Sequence, residues 1–119
     1  MKNPKAFADA YQFTIALFSH TRSFPKHLRP TLGRHLEEKS LFLTTHLQKA
    51  LLSPVKSSKG DQNRLIHLQK ISDSLDDIRI FLRMSHDLKV LSVGAFHDLS
   101  LLGKEIGREI GGLIKATQK

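Results

Sequence analysis

The chain has 119 residues, 39% of them hydrophobic, and a formal net charge of +8 from 19 lysines and arginines against 11 acidic residues. This length fits one domain, residues 1–119, that is large enough to bury a core. The sequence contains no cysteine, which excludes disulfide scaffolds, zinc ribbons and thiol catalysis. No apolar run approaches the roughly 18 residues needed to span a bilayer. Because the N-terminus does not resemble a signal peptide, we expect a cytoplasmic protein with no membrane contact.

Apolar residues recur every three to four positions in four segments, which predicts helices near residues 4–23, 30–52, 62–89 and 93–116. Asn3 suits the N-cap of the first helix, and Pro4 suits its first turn. The apolar face predicted for this helix consists of Phe7, Tyr11, Ile15 and Phe18, with Ala10, Thr14 and Leu17 beside them. Pro25 and Pro30 interrupt the pattern, so residues 25–29 are expected to form a connector or a short turn.

The second helix opens at Pro30 and presents a face of leucines. These are Leu32, Leu36, Leu43, Leu47 and Leu51, with Phe42 and Ala50 alongside. Residues 53–60 are rich in serine and lysine and also contain proline and glycine, which predicts a loop. Asp61 is expected to cap the third helix.

The third helix carries two apolar strips. The first is a heptad-like seam of Leu65, Leu68, Ile71, Leu75, Ile78 and Leu82. The second is Ile80, Phe81, Met84 and Leu88. A face this wide predicts burial against another helix or another subunit.

The fourth helix is expected to be capped by Ser92, and three of its glycines lie four residues apart. A glycine in a helix interior costs about 1 kcal/mol relative to alanine. We therefore interpret Gly103, Gly107 and Gly111 as positions where another helix packs closely. No segment alternates with the period of a strand. With short connections, the prediction is an all-α, antiparallel, up-down-up-down four-helix bundle.

The sequence offers no convincing catalytic or metal-binding constellation. Its seven histidines are scattered, and the inward Glu-x-x-His pairs of bundle di-metal sites are missing. Ser85, His86 and Asp87 are adjacent on a helix and point in different directions, so they cannot form a catalytic relay. We therefore expect no enzyme activity, no metal and no cofactor.

The positive charge is concentrated in two stretches. Residues 20–39 and residues 53–70 each carry a net +3, whereas residues 71–98 carry −2. Such basic stretches are typical of proteins with polyanionic partners. The candidate nucleic-acid contacts in and beside them are Lys26, Arg29, Arg34, Lys56, Lys59 and Arg64. Each of these residues alone is also consistent with ordinary solvated surface.

Arg79 and Arg83 lie one turn apart on the predicted third helix, and two interpretations remain open for them. They are candidate phosphate contacts, or they form ion pairs with Asp76 and Glu105, either within one subunit or between subunits.

Three strings of the sequence resemble a known family. They are Phe24-Pro25-Lys26-x-x-Arg29-x-x-Leu32-Gly33, then Leu75-Asp76-x-Ile78-Arg79-x-x-Leu82-Arg83-x-x-x-Asp87-Leu88-Lys89-x-Leu91-Ser92, and Leu102-x-x-Glu105-Ile106-Gly107-Arg108-x-Ile110-Gly111-Gly112-x-Ile114-Lys115. Their order and spacing are similar to the four-helix-bundle family of the accessory variability determinant (Avd) proteins of diversity-generating retroelements. That family also includes the proteins encoded by intervening sequences of bacterial ribosomal RNA genes.

The resemblance implies a non-enzymatic, basic homopentamer that binds RNA or DNA and a retroelement reverse transcriptase during mutagenic cDNA synthesis. It adds Glu105 and Arg108 to the three glycines as candidates for helix or subunit packing. The alternative is an oligomeric protein-interaction module of the intervening-sequence type, with no role in nucleic-acid binding.

Overall fold

The computed structural model describes residues 5–53 and 58–118, and in these residues the backbone forms four α-helices and no strand. The helices are α1 (Lys5–Thr21), α2 (Arg34–Leu52), α3 (Ser58–Asp87) and α4 (Val93–Gln118). The predicted all-α, four-helix fold is therefore confirmed. None of these helices is both long and apolar enough to serve as a membrane span. The expected cap Asn3 and the candidate contact Lys56 fall outside the described ranges.

Side-chain contacts give the relative direction of α1 and α2. The hydroxyl of Thr14 lies 2.8 Å from that of Thr44, whereas Thr21, further along α1, donates a hydrogen bond to Glu37, which comes earlier in α2. The sequence numbers of the partners fall as those on α1 rise, so these two helices run in opposite directions.

The remaining helix pairs follow the same rule. Between α2 and α3, Lys39 bonds to Asp77 and His46 bonds to His67. Between α4 and α3, Gly103 faces Arg79 and Gly107 faces Leu75. Each helix packs mainly on two others, in the closed order α1, α2, α3, α4. The body that the four helices form measures 47 × 24 × 23 Å.

The core runs along the centre of the bundle and is made chiefly of leucine and isoleucine. Its largest fully buried side chains are Phe13, Phe24, Leu17, Leu36, Leu43, Leu47, Leu68, Ile71, Ile78, Leu82, Ile106 and Ile110. The apolar seams predicted for the second and third helices supply most of this set.

The core face predicted for the first helix is right in part. Ala10, Thr14 and Leu17 are buried as expected, whereas Tyr11 and Ile15 are each 54% exposed. The buried face of α1 comprises Ala6, Ala10, Phe13, Thr14, Leu17 and Thr21. On this face, Thr14 donates a hydrogen bond to the carbonyl of Ser40 on α2. The neighbouring stripe through Tyr11 and Ile15 is left largely in solvent.

The connection between α1 and α2 contains the short turn expected after Pro25. Phe24 is buried, and Pro25 accepts the backbone bonds of the next turn. A π-helical turn, Arg29–Gly33, then leads directly into α2, with the amide of Gly33 bonding to the carbonyl of Leu28 at 3.0 Å. The second helix therefore starts as a wide turn, since proline has no amide to donate within it.

The third helix begins earlier than predicted. It starts at Ser58, so Asp61 lies in its first turn and does not cap it. Residues 58–60 of the predicted loop therefore belong to the helix. Gly60 is buried in this first turn. The negative charge of Asp61 still favours the helix here because it faces the positive end of the helix dipole.

The turn between α3 and α4 is closed by hydrogen bonds at both helix ends. The amide of Lys89 bonds to the carbonyl of His86, and that of Val90 to the carbonyl of Ser85, which together form a Schellman motif. Lys89 accordingly has a positive φ of 65°. The Ser92 hydroxyl accepts a hydrogen bond from the amide of Ala95 at 3.1 Å, so the predicted cap of the fourth helix is confirmed.

Candidate nucleic-acid interface

The candidate basic residues are divided between the two halves of the bundle. Lys26, Arg29 and Arg34 belong to the end where α1 finishes and α2 begins, whereas Lys59 and Arg64 belong to the opposite end, where α3 begins. The antiparallel register separates these groups along the 47 Å axis. The two basic stretches of the sequence therefore do not merge into one patch within a single chain.

At the end of the bundle where α2 begins, Lys26, Arg29 and Arg34 differ in whether they already form hydrogen bonds or ion pairs. Arg29 donates from Nε to the carbonyl of Phe24 at 2.9 Å, and Arg34 lies 3.1 Å from a carboxylate oxygen of Glu38. Lys26 is exposed and has no acidic side chain within ion-pair distance among the described residues. At the other end, Lys59 is exposed and Arg64 is half-buried, with a buried Nε that makes no hydrogen bond.

Arg79 and Arg83 border a groove between α3 and α4. Both side chains are exposed, and neither forms an ion pair with a described residue. The groove has a volume of about 460 Å³, and its lining is Asp76, Arg79, Ile80, Arg83, Phe96 and Ser100. Within the described residues of the single chain, the pairs of these arginines with Asp76 and Glu105 do not form, because Asp76 is not within 4 Å of either guanidinium and Glu105 pairs with Lys5 and Arg108.

The side chain of Arg79 passes close to Gly103 on α4. A Cβ atom at Gly103 would come within 3.9 Å of the Arg79 Cγ and 3.7 Å of the Phe13 ring, which are ordinary van der Waals contacts. The aliphatic part of Arg79 therefore lies over α4 while its charged end reaches solvent, and a methyl group at Gly103 would not displace it.

The groove combines three kinds of recognition group. Two guanidinium groups provide the planar, multiple donors that match phosphate oxygens. The Ser100 hydroxyl is a further donor or acceptor, and the half-buried Phe96 offers an apolar ring, which is stacked on His86 at 4.7 Å. Two like charges at this spacing disfavour a helix by about 0.2–0.5 kcal/mol. An anion bound between them would remove that penalty.

Glu105 and Arg108 belong to a separate ionic cluster that joins α1 to α4. Arg108 lies 2.8 Å from Glu105, and Lys5 contacts Asp9, Glu105 and Glu109 at 2.8, 3.4 and 2.9 Å. The hydrogen bonds that Lys5 donates to Asp9 and Glu109 raise the pKa of Lys5, and the bond that Asp9 accepts from Lys5 lowers the pKa of Asp9. Burial raises the pKa of Glu109, whose Oε1 has no hydrogen-bond partner. Within one chain, these residues join two helices of the same bundle.

The three glycines of α4 differ in what surrounds them. A Cβ atom at Gly107 would lie 3.5 Å from Leu75, an ordinary contact, and at Gly111 it would meet nothing within 4 Å. Gly103 is the most enclosed of the three. Packing inside this chain therefore does not require glycine at either Gly107 or Gly111.

The second apolar strip of α3 is largely uncovered in the single chain. Ile80, Met84 and Leu88 are 58%, 46% and 53% exposed, and they follow one another at four-residue spacing. Met84 and Leu88 also border an apolar hollow of about 260 Å³. Its other lining residues are Leu28, Thr31, Leu32, His35 and Phe81.

Sequence patterns alone do not identify two features of this surface. The sequence does not predict that Phe96 and Ser100 lie beside Arg79, because this proximity depends on the register of α3 against α4. In the described part of the chain, no three or more histidine, aspartate and glutamate side chains form a group suited to a metal ion.

In comparisons with known proteins, no family model matches the chain and no curated protein matches it.

Proposed function

We propose that this chain is a non-enzymatic, nucleic-acid-binding protein that holds RNA or DNA strands by their phosphates. The observation that carries the proposal is the groove between α3 and α4, where Arg79 and Arg83 are exposed beside Phe96 and Ser100 and form no ion pair with any acid among residues 5–53 and 58–118. Unpaired guanidinium groups beside an aromatic ring suit the repeating phosphates and bases of a single strand. Direct readout of sequence has no evident basis here, so binding is expected to tolerate different sequences.

The distribution of charge supports the same proposal. The chain carries +8, and several of its acids are already matched: Asp9 and Glu109 with Lys5, and Asp77 with Lys39. The unmatched charge is therefore mainly positive. A field of this sign attracts a polyanion and speeds its association at low salt.

The family resemblance makes the proposal more specific. By that resemblance, the protein is an accessory subunit that holds template RNA or cDNA for a retroelement reverse transcriptase. A pentamer would bring five copies of the groove and five times the charge of one chain into one particle. The charge density available to a long strand would increase accordingly.

Fluorescence anisotropy with labelled single-stranded RNA and DNA tests the proposal. Replacing both groove arginines, Arg79→Gln with Arg83→Gln, should weaken binding and reduce the slope of log affinity against log salt by about 1.4, at roughly 0.7 per phosphate contact on a single strand. The matched control is Lys104→Gln with Lys115→Gln, which removes the same charge from exposed positions on α4 that make no ion pair.

Two results would decide against the groove or against the function. If both double variants lower affinity and salt slope equally, net charge accounts for the binding and the groove has no special role. If the unmodified chain binds neither RNA nor DNA at low salt, nucleic-acid binding is excluded as its function.

The exposed strip of α3 favours a second candidate function, self-association as an interaction module. Ile80, Met84 and Leu88 present a continuous apolar surface beside a hollow, and the family resemblance indicates further copies of the chain as the occupant. Light scattering should then give a multiple of the 13.5 kDa chain mass, and Ile80→Ser with Met84→Ser should shift the particle toward that mass. A monomer at all concentrations would exclude this function and the pentamer with it.

A further inference from the structure

Two histidines face each other across the contact between α2 and α3. The Nδ1 atoms of His46 and His67 are 3.1 Å apart, and the ring centroids are 5.2 Å apart. Phe42 stacks on His46 with a centroid distance of 3.9 Å, which fixes the plane of that ring. Both imidazoles are half-buried, so solvent reaches the pair from one side.

We infer that His46 and His67 form a site for a divalent first-row transition-metal ion, such as Ni²⁺, Cu²⁺ or Zn²⁺, which joins α2 to α3. This site is separate from the arginine groove and does not depend on the function proposed for it. Two imidazole nitrogens and solvent supply the coordination.

The distance between the two nitrogens is close to what such an ion requires. A tetrahedral ion bound at about 2.0–2.1 Å holds two nitrogen ligands about 3.3–3.4 Å apart. The observed separation of 3.1 Å needs to widen by only a few tenths of an ångström, which small rotations of the two rings provide. The helices themselves need not move.

The protonation state of the pair is also suitable. Without an ion, one Nδ1–H donates to the other Nδ1; with an ion, both rings carry their proton on Nε2 and turn the Nδ1 lone pairs toward the metal. This is a change of tautomer, and no proton has to leave the protein. Burial lowers the pKa of His46, and the nearby charges of Lys49, His67 and Lys70 lower it further.

The neighbouring charges determine which ions bind and how tightly. Imidazole favours nickel, copper and zinc over magnesium and calcium, which prefer oxygen ligands. Lys49 and Lys70 repel a dication, and the site has only two protein ligands, so the affinity should be lower than that of a closed structural zinc site. For a site of this kind, copper should bind most tightly.

Thermal and urea unfolding of the tag-free, chelator-treated chain tests the site. When free Ni²⁺ exceeds its dissociation constant tenfold, the unfolding equilibrium constant should fall by about a factor of ten, because the ion binds the folded form alone. MgCl₂ should have no such effect. The stabilisation should disappear in His46→Gln and in His67→Gln but persist in His97→Gln, which removes an exposed histidine at the other end of the bundle.

A second measurement uses the unmodified chain and remains decisive if the histidine variants do not fold. Substoichiometric Cu²⁺ should broaden the nuclear magnetic resonance signals of Phe42, Ala50 and Ile71 before those of Gly94, which lies at the start of α4. Metal stabilisation that survives both substitutions, broadening centred elsewhere, or no interaction with any of these ions would each overturn the inference.

Discussion

Gly111 offers a direct test of whether the glycine face of α4 contacts anything outside this chain. A Cβ atom added there would meet nothing within 4 Å, so Gly111→Ala introduces no clash inside the bundle. Alanine is about 1 kcal/mol more favourable than glycine in a helix interior. The variant should therefore raise the free energy of unfolding by about 1 kcal/mol, or the melting temperature by about 4 °C for a chain of this length.

Gly112 supplies the matched control, since it is the adjacent residue of the same helix and also has open space at its Cβ position. Urea denaturation at low protein concentration and light scattering at high concentration would be measured for both alanine variants. Equal gains at the two positions, with no change in association, would mean that the glycine face is free. Destabilisation or loss of association for Gly111→Ala alone would refute the reasoning from the single chain and reveal a partner on that face.

Two further predictions concern the α3–α4 turn and the ionic cluster of α1. Lys89→Gly should stabilise the fold by about 0.5–1 kcal/mol, because Lys89 has a φ of 65° that glycine adopts without strain; Lys89→Ala should show no such gain in urea denaturation. The lowered pKa of Asp9 gives stability that is present above its ordinary value of 3.8 and lost as pH falls, so Asp9→Asn should flatten the acid side of the stability profile. The raised pKa of Glu109 acts in the opposite sense, with stability present below 4.5 and lost as pH rises through the folded-state value. Glu109→Gln should therefore flatten that decline, and variant profiles parallel to the parent's would contradict both assignments.

The elements with a single apolar face were predictable from the sequence, and those with two faces were not. In α2 and in the first half of α3, the leucine and isoleucine spacing leaves one choice of buried side, which the structure bears out. In α1, the stripe through Tyr11 and the stripe through Phe13 have the same period. Periodicity cannot choose between them, because the choice depends on how closely α2 and α4 approach.

Local composition also gave an incomplete prediction at the start of α3. Serine, lysine and glycine predict a loop, yet Gly60 is buried within the first turn of the helix. Tertiary packing offsets the low helix propensity of glycine there. At the other end of the same connection, residues 54–57 lie outside the described ranges, so the loop prediction remains open for them.

The candidate sites could not be predicted from any single segment, because their residues lie on different helices. His46 and His67 are 21 positions apart and lie on different helices, so their contact follows only from the register of α2 against α3. The same holds for Arg79 and Phe96 across α3 and α4. Sequence spacing identified the basic residues, but it did not separate those already hydrogen-bonded, such as Arg29, from those left free.

The outer surface of α3 links the two candidate functions. Arg79 and Ile80 are neighbours in sequence, as are Arg83 and Met84, so a basic row and an apolar row run side by side along two turns. Adjacent residues on a helix point about 100° apart, and the two rows can therefore face different partners at once. If copies of the chain cover the apolar row, the arginines remain at the edge of that contact and still reach a strand. Self-association and nucleic-acid binding are then compatible. If the variant Ile80→Ser with Met84→Ser lost affinity for RNA or DNA as the variant Arg79→Gln with Arg83→Gln should, self-association would be a requirement for nucleic-acid binding.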